Sequence, residues 1–175
     1  NAVQTGVTVI VPANATPFEN KIPAGLAVIN GFGKSVGLVQ VEELGQIETT
    51  IALTNTFSVS DIAKAQIHQT ISQHPEWGRS LPTVNPLVFE CNDGYLNDLH
   101  AFAIQSHHYQ HAYDTATTDF AQGAVGAGRG MSCFGIKGGI GSASRIAPTN
   151  DHSYTVGALV LANFGRTPQL LFKGQ

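Results

Sequence analysis

Nine consecutive residues, Glu90-Cys91-Asn92-Asp93-Gly94-Tyr95-Leu96-Asn97-Asp98, carry three carboxylates, two carboxamides and one phenol. They close the apolar run at 87–90, so the polar groups stand at the end of an expected strand, where sheet proteins commonly build sites. An acid there can hold a substrate ammonium, and a Tyr hydroxyl can donate to a developing oxyanion. The same stretch also reads as an Asn-Asp-Gly turn followed by a helix cap. Asn163 poses a similar choice. It ends an otherwise apolar strand in Leu161-Ala162-Asn163-Phe164-Gly165, and a carboxamide in that setting must find partners. A preorganised amide N–H is a standard oxyanion-hole donor, whereas Asn beside Gly165 also makes a structural turn.

Other motifs fail their own mechanics. His107 and His111 stand at i, i+4 and would share a helix face, with Asp114 near enough to be a third metal ligand. A zinc protease needs Glu directly after the first His, and position 108 is His. These three histidines are read as solvent-facing, and neither a metal nor a cofactor is expected. Gly33-Lys34-Ser35 resembles the end of a phosphate-binding loop, but the required earlier glycine is Val28. A dinucleotide fingerprint begun at Gly31 puts its third glycine on Val36, and one begun at Gly126 puts it on Met131. Cys91 and Cys133 lack CxxC spacing and read as free thiols.

Positioning these groups falls to an unusual stretch: residues 123–141 hold eight of the chain's 19 glycines. Glycine so dense is required where φ is positive or where backbones approach closely, although a string of tight turns is the plainer account. Strands are expected at 6–11, 25–30, 51–54, 87–90, 154–162 and 169–172. The near-continuous apolarity of the first two suggests that both sheet faces are covered. A helix over 58–72 begins at Ser58, which with Asp61 resembles a capping box, and buries Ile62, Ala65, Ile67 and Ile71 before His74-Pro75 ends it. A second helix over 106–117 takes Ser106 as N-cap and buries Tyr109, Ala112, Tyr113 and Ala116. Alternating strands and helices make a layered α/β architecture, one domain over 1–175.

Hydrophobic residues make up 42% and charged residues only 12% of the chain, well below the usual quarter or so. A surface so poor in charge is expected to lie against another subunit. A net charge of −3 with nine scattered Lys and Arg indicates neither a nucleic-acid groove nor a polybasic membrane patch. No apolar run approaches a membrane span. No signal-peptide pattern opens the chain, which leaves cytoplasmic and periplasmic residence equally open. The Asn14-Ala15-Thr16 sequon carries meaning only in a secreted eukaryotic protein.

Six blocks, in one order, resemble the α-subunit of the P1-family aminopeptidases, the self-processing group of the L-aminopeptidase/D-amidase-esterase and the β-aminopeptidases. They are GVTVIVP (6–12), NGFGKSVGLVQVEELG (30–45), ETTIALTNTFSV (48–59), ECNDGYLND (90–98), VGAGRGMSCFGIKGGIGSASR (125–145) and YTVGALVLANFG (154–165). The resemblance implies an αββα sandwich similar to N-terminal-nucleophile hydrolases, with the family's own connectivity. It further implies a precursor that cleaves itself at a Gly-Ser bond, freeing a nucleophilic Ser at the N-terminus of a separate β-subunit. The sequence stops at Gln175 without such a junction. Gly141-Ser142 lies inside the glycine block, before the strand that should precede the cut, so Ser142 is not nominated.

By resemblance, Tyr95 and Asn163 match the oxyanion-stabilising positions, and Glu90 matches the acid that holds the substrate's free amino group. The implied partners are the β-subunit of the same precursor, a peptide or amide substrate, and further αβ units in a closed oligomer such as a tetramer. Two other readings stand beside the aminopeptidase: a non-catalytic binding module of the same fold, and an acyl transferase like the ornithine acetyltransferases.

Overall fold

Along the chain run β1 (Thr8–Ile10), β2 (Ile22–Pro23), α1 (Leu38–Leu44), β3 (Gln46–Ile47), β4 (Ile51–Asn55), α2 (Val59–Gln73), β5 (Leu87–Cys91), α3 (Ser106–Asp114), β6 (Ser132–Cys133), β7 (Ile136–Lys137), β8 (Gly139–Pro148) and β9 (Ser153–Ala162). The computed structural model describes residues 2–13 and 19–172. The sequon at Asn14 lies outside the described residues.

Side chains alternate between the faces of a strand, and that alternation sorts the core into layers. In the three-stranded sheet β1-β4-β5, β1 is antiparallel to β4 and β4 is parallel to β5. A parallel pair needs a crossover, and α2 supplies it. Val7, Val9, Ala52 and Val88 face the helices, where they meet Val59, Ile62 and Ala65 of α2 and Tyr109 of α3. Ile10, Ile51, Leu53 and Phe89 face the opposite way, against Ala127, Ile140, Leu159 and Leu161. Each fully buried aliphatic side chain of this kind contributes about 1.5–3 kcal/mol.

The glycine tract lies under the second face and allows backbone to touch backbone. A Cβ on Gly6 would overlap the Gly126 carbonyl, and one on Gly128 would sit 2.6 Å from both Gly123 O and Ile140 N. Close approach, in addition to turning, therefore accounts for the glycines. The tract leads into the β8–β9 hairpin, paired from Gly139↔Ala162 to Pro148↔Ser153. Only the end near Ile140 is buried. Tyr154, Val156 and Val160 share the outward face and are each at least 50% exposed, so that face, expected to be covered, is open among the described residues.

Several expected elements differ. No strand forms at 25–30: β2 is only Ile22–Pro23, paired with β3, and Ile29 is 97% exposed. Apolar composition there lacks a described pairing partner. At 169–172 a short 3₁₀ turn, Thr167–Gln169, replaces the strand. Pro168 has no amide to give a ladder and fixes φ for a turn. The second helix stops at Asp114 with Gln105 as its N-cap, leaving Ala116 exposed. The first helix runs to Gln73, and Ser58 makes no capping bond. Asn55 Oδ1 instead accepts from the Phe57 and Ser58 amides at 3.0 and 3.1 Å. Ile71 lies on the outside, while Gln66 is buried.

Candidate active site

Parallel pairing brings the C-terminal ends of β4 and β5 to one edge, with Thr54 opposite Glu90 and Asn55 opposite Cys91. The end of β9 arrives at the same place. Cys91 Sγ lies 3.9 Å from the Leu161 carbonyl, and Asn163 Nδ2 donates to the Asn92 carbonyl at 2.9 Å. Asn92 and Asn163 are thus neighbours in space, and Glu90 stands two residues before Asn92 at the end of β5. Glu90 is half-buried and its Oε1 accepts from the Lys34 amide at 3.0 Å. A carboxamide carries two N–H donors. One of those of Asn163 is held by Asn92 O, which fixes the plane of the group and directs the other.

Tyr95 sits on the following loop. The Asp93 carbonyl accepts from the Leu96 and Asn97 amides at 3.0 and 2.9 Å, closing the turn. Asn97, buried, donates to Asp93 Oδ1 at 3.1 Å and accepts from the Gln4 amide at 2.9 Å. The N-terminal segment is thereby strapped across the loop, and the Asp98 amide donates to Ala2 O at 2.9 Å. Tyr95 itself is 82% exposed on the wall of an open cleft of about 520 Å³ shared with Ala2, Leu99 and His100. Neither Glu90 nor Asn163 lines that cleft, so among the described residues Tyr95 is linked to the Asn163 edge through its loop, which starts at Asn92, and not by a side-chain contact.

Burial dominates the electrostatics. It pushes the Cys91 thiol up to about 11, with the Glu90 carboxylate adding to the effect. The Asp93 carboxyl is raised above its ordinary value by burial, which the neighbouring Thr5 and Asn97 side chains partly offset. Asp93 Oδ2 has no partner among the described residues. Beyond Glu90 a second groove, about 390 Å³, lies between Lys34 and Ser35 on one side and Phe57, Val59 and Ser60 at the start of α2 on the other.

With this geometry in view, the profile of peptidase family S58 matches residues 1–175. The chain belongs to peptidase family S58. It is 39% identical, over 98% of its length, to beta-peptidyl aminopeptidase BapA of Sphingosinicella microcystinivorans, and covers 42% of that protein. It superposes on the PH0078 protein from Pyrococcus horikoshii OT3 with a TM-score of 0.96 and 48% identity, covering 98% of this chain and 49% of that one. For the L-aminopeptidase D-Ala-esterase/amidase of Ochrobactrum anthropi the values are 0.79 and 26%, with 99% and 45% coverage. That enzyme is described as a prototype for the serine aminopeptidases and a new variant among the Ntn hydrolase fold. The chain spans about half the length, or slightly less, of these relatives.

The remaining motifs of this S58 chain are placed away from the Asn163 edge or tied into it. His107 and His111 are exposed on α3. His108 Nδ1 accepts from the Gln105 amide at 2.9 Å, and burial, then His107, holds its imidazole below the ordinary value. Among the described residues no three His, Cys, Asp or Glu gather as a metal site, and no helix is long and apolar enough to cross a membrane. The Gly33-Lys34-Ser35 amide that resembled a phosphate cradle is bonded to Glu90 instead. Both cysteines are free. Ser142 lies within β8, paired with Leu159. What the sequence did not disclose is the supporting set: Gln4, Asp93 and Asn97 beneath the Tyr95 loop, and the Asn92 carbonyl on Asn163. The one available signal was Asn97, four residues after Asp93 across the turn.

Proposed function

We propose that this chain is the α-subunit part of a self-processed serine aminopeptidase or amidase that removes N-terminal residues from peptides, amides or esters. The nucleophile in this reading is the N-terminal Ser of a separate β-subunit from the same precursor. The observation that carries it is the Asn163 carboxamide, anchored through one N–H to Asn92 O at 2.9 Å, just past the ends of β5 and β9. The names of the relatives, aminopeptidases among them, favour hydrolysis over acyl transfer or a non-catalytic module.

In this reading the Ser hydroxyl, its proton taken by a nearby amine, attacks the scissile carbonyl. The free N–H of Asn163 and the Tyr95 hydroxyl donate to the oxygen as it becomes an oxyanion, and Glu90 holds the substrate ammonium. Collapse expels the amine and leaves an acyl-enzyme, which water then hydrolyses. The β-subunit would cover the open face of β8–β9, completing an αββα sandwich, and αβ units would assemble further into a closed oligomer. Neither a metal nor a cofactor takes part.

The deciding experiment pairs N-terminal sequencing of the active preparation with turnover of a chromogenic aminoacyl amide. A second polypeptide beginning with Ser, and activity only when both chains are present, is the expected result. Turnover by this chain alone, rigorously free of other protein, would refute the reading.

A further inference from the structure

We infer that the turn at Phe134 and Gly135, fastened by Lys137 and Thr167, positions the carboxamide of Asn163, which makes Lys137 and Thr167 positioning residues of the reaction. The inference rests on the oxyanion role proposed above for Asn163.

Asn163 is the first residue past β9, where ladder pairing stops at Ala162↔Gly139. A side chain one residue beyond a strand end would ordinarily sample several orientations, which an oxyanion donor cannot tolerate. Here the chain is caught again at once. The Phe134 amide donates to the Phe164 carbonyl at 2.8 Å, and the two rings meet edge to face with centroids 5.2 Å apart. Gly165 has φ +78°, and a Cβ there would run into the Phe134 ring. The Thr167 hydroxyl closes the loop by donating to Phe134 O at 2.8 Å. Asn163 is therefore bracketed by fixed backbone on both sides, with its own side chain on Asn92 O.

The clamp is in turn overdetermined. Phe134 adopts φ +53°, a left-handed conformation that is unfavourable for a non-glycine residue. Such a conformation persists only where the surroundings enforce it. Here β6 and β7 pair on either side of the turn, Ser132 with Lys137 and Cys133 with Ile136, and Lys137 ties that hairpin to the tract: its Nζ donates to Gly128 O at 2.8 Å, Met131 O at 3.0 Å and Gly138 O at 2.7 Å. All three ammonium donors are used, each on a carbonyl of the glycine tract. Gly138 packs so closely on the Ala162 carbonyl that a Cβ would overlap it. The tract is thereby joined mechanically to the residue before Asn163 as well as to the residue after it.

Thr167→Val keeps the shape and removes the hydroxyl, so it tests the clamp without unfolding it. Measured on the processed fraction of the complete two-chain enzyme, kcat should fall about three- to tenfold, the equivalent of one neutral hydrogen bond, with KM within about twofold. Thr167→Ser should restore it. Lys137→Met should lower kcat further, and its melting curve shows whether it has stayed folded. The decisive measurement is the double-mutant cycle with Asn163→Ala. If Thr167 acts through Asn163, Thr167→Val should have little further effect once the carboxamide is gone. An equal loss in both backgrounds would make Thr167 merely structural and overturn the inference. So would normal kcat in Thr167→Val alongside a slow Asn163→Ala, an outcome that leaves the oxyanion role standing. A fast Asn163→Ala would instead remove that role, and the clamp's purpose with it.

Discussion

Gln66→Met should be among the most damaging conservative substitutions in this chain, although it touches no proposed catalytic group. Gln66 is 1% exposed on the inner face of α2. Its Nε2 donates to Thr50 O at 2.6 Å and Thr50 Oγ1 at 2.9 Å, and its Oε1 accepts from the Leu87 amide at 2.7 Å. Met has the same length and none of these bonds. The Thr50 carbonyl would keep the Thr49 hydroxyl at 3.1 Å, and the Thr50 hydroxyl would keep Tyr109 at 2.9 Å. The Leu87 amide would lose its side-chain acceptor. An orphaned buried donor costs about 1–3 kcal/mol and each lost but re-satisfied bond about 0.5–1.5. The better burial of Met returns about 1 kcal/mol, leaving a net loss centred near 3 kcal/mol, a large share of the 5–15 typical of a domain. Urea unfolding should show the midpoint falling at constant slope. Gln66→Glu should be worse at neutral pH, because a carboxylate would face the Thr50 carbonyl in a dry interior, and should recover as pH falls and the acid is protonated. A Gln66→Met protein within about 0.5 kcal/mol of the parent, below the net value of a typical hydrogen bond, would refute this account of how α2 is fastened.

Four further outcomes are expected. Asn163→Ala and Tyr95→Phe should lower kcat by about 10² to 10³ on the processed fraction, as removal of one oxyanion donor typically does; near-normal kcat would return both side chains to structural roles. Glu90→Gln should raise KM for substrates with a free amino terminus far more than for substrates lacking one, and an equal change for both would remove the ammonium role. Asp93 has a folded-state pKa raised by burial, so its contribution to stability is complete below the unfolded-state value and is lost as pH rises through the folded-state value. Asp93→Asn should flatten that segment of the stability–pH curve, and an unchanged slope would mean that another group titrates there. Cys91, at about 11, should be about one part in a thousand thiolate at pH 8, so alkylation followed by mass spectrometry should find it about a hundredfold slower than an ordinary thiol until the protein is unfolded.

Elements with a strong period of their own were legible. The 87–90 run, the helix after Ser58 and the strand ending at Ala162 each announce themselves through apolar spacing, and the structure contains all three within a residue or two. Elements defined by a partner were not. Gly139–Pro148 reads as glycine, serine and alanine, with little strand propensity, and becomes a ten-residue strand because β9 pairs with it throughout. Leu38–Leu44 is a short helix made possible by Gly37 and Gly45 in left-handed conformations at its two ends. Conversely, the apolar 25–30 run looked like a strand, yet apolarity specifies only that a surface be covered and says nothing of a hydrogen-bonding neighbour. Gln66 was passed over for a related reason: a buried carboxamide breaks the apolar stripe and can be recognised only once its three partners are in place.

The candidate site divides along the same line. Residue type alone left Glu90, Tyr95 and Asn163 divided between chemistry and plain turn or cap roles, and the family resemblance chose among them. The contact of Asn163 with Asn92 could not be read at all, since it depends on β9 returning to the end of β5. The glycine tract marks where those two kinds of information meet. As composition it shows only that backbones must come close somewhere; as structure it brings Lys137 onto three carbonyls and Phe134 onto Phe164. Several of those glycines let the tract pack against Gln4, Val7, Thr8 and its own backbone, whereas Gly138 alone brings it onto the Ala162 carbonyl at the end of β9. In the proposed reading that one approach is what helps to hold one amide N–H of Asn163 at a fixed angle while the other is engaged.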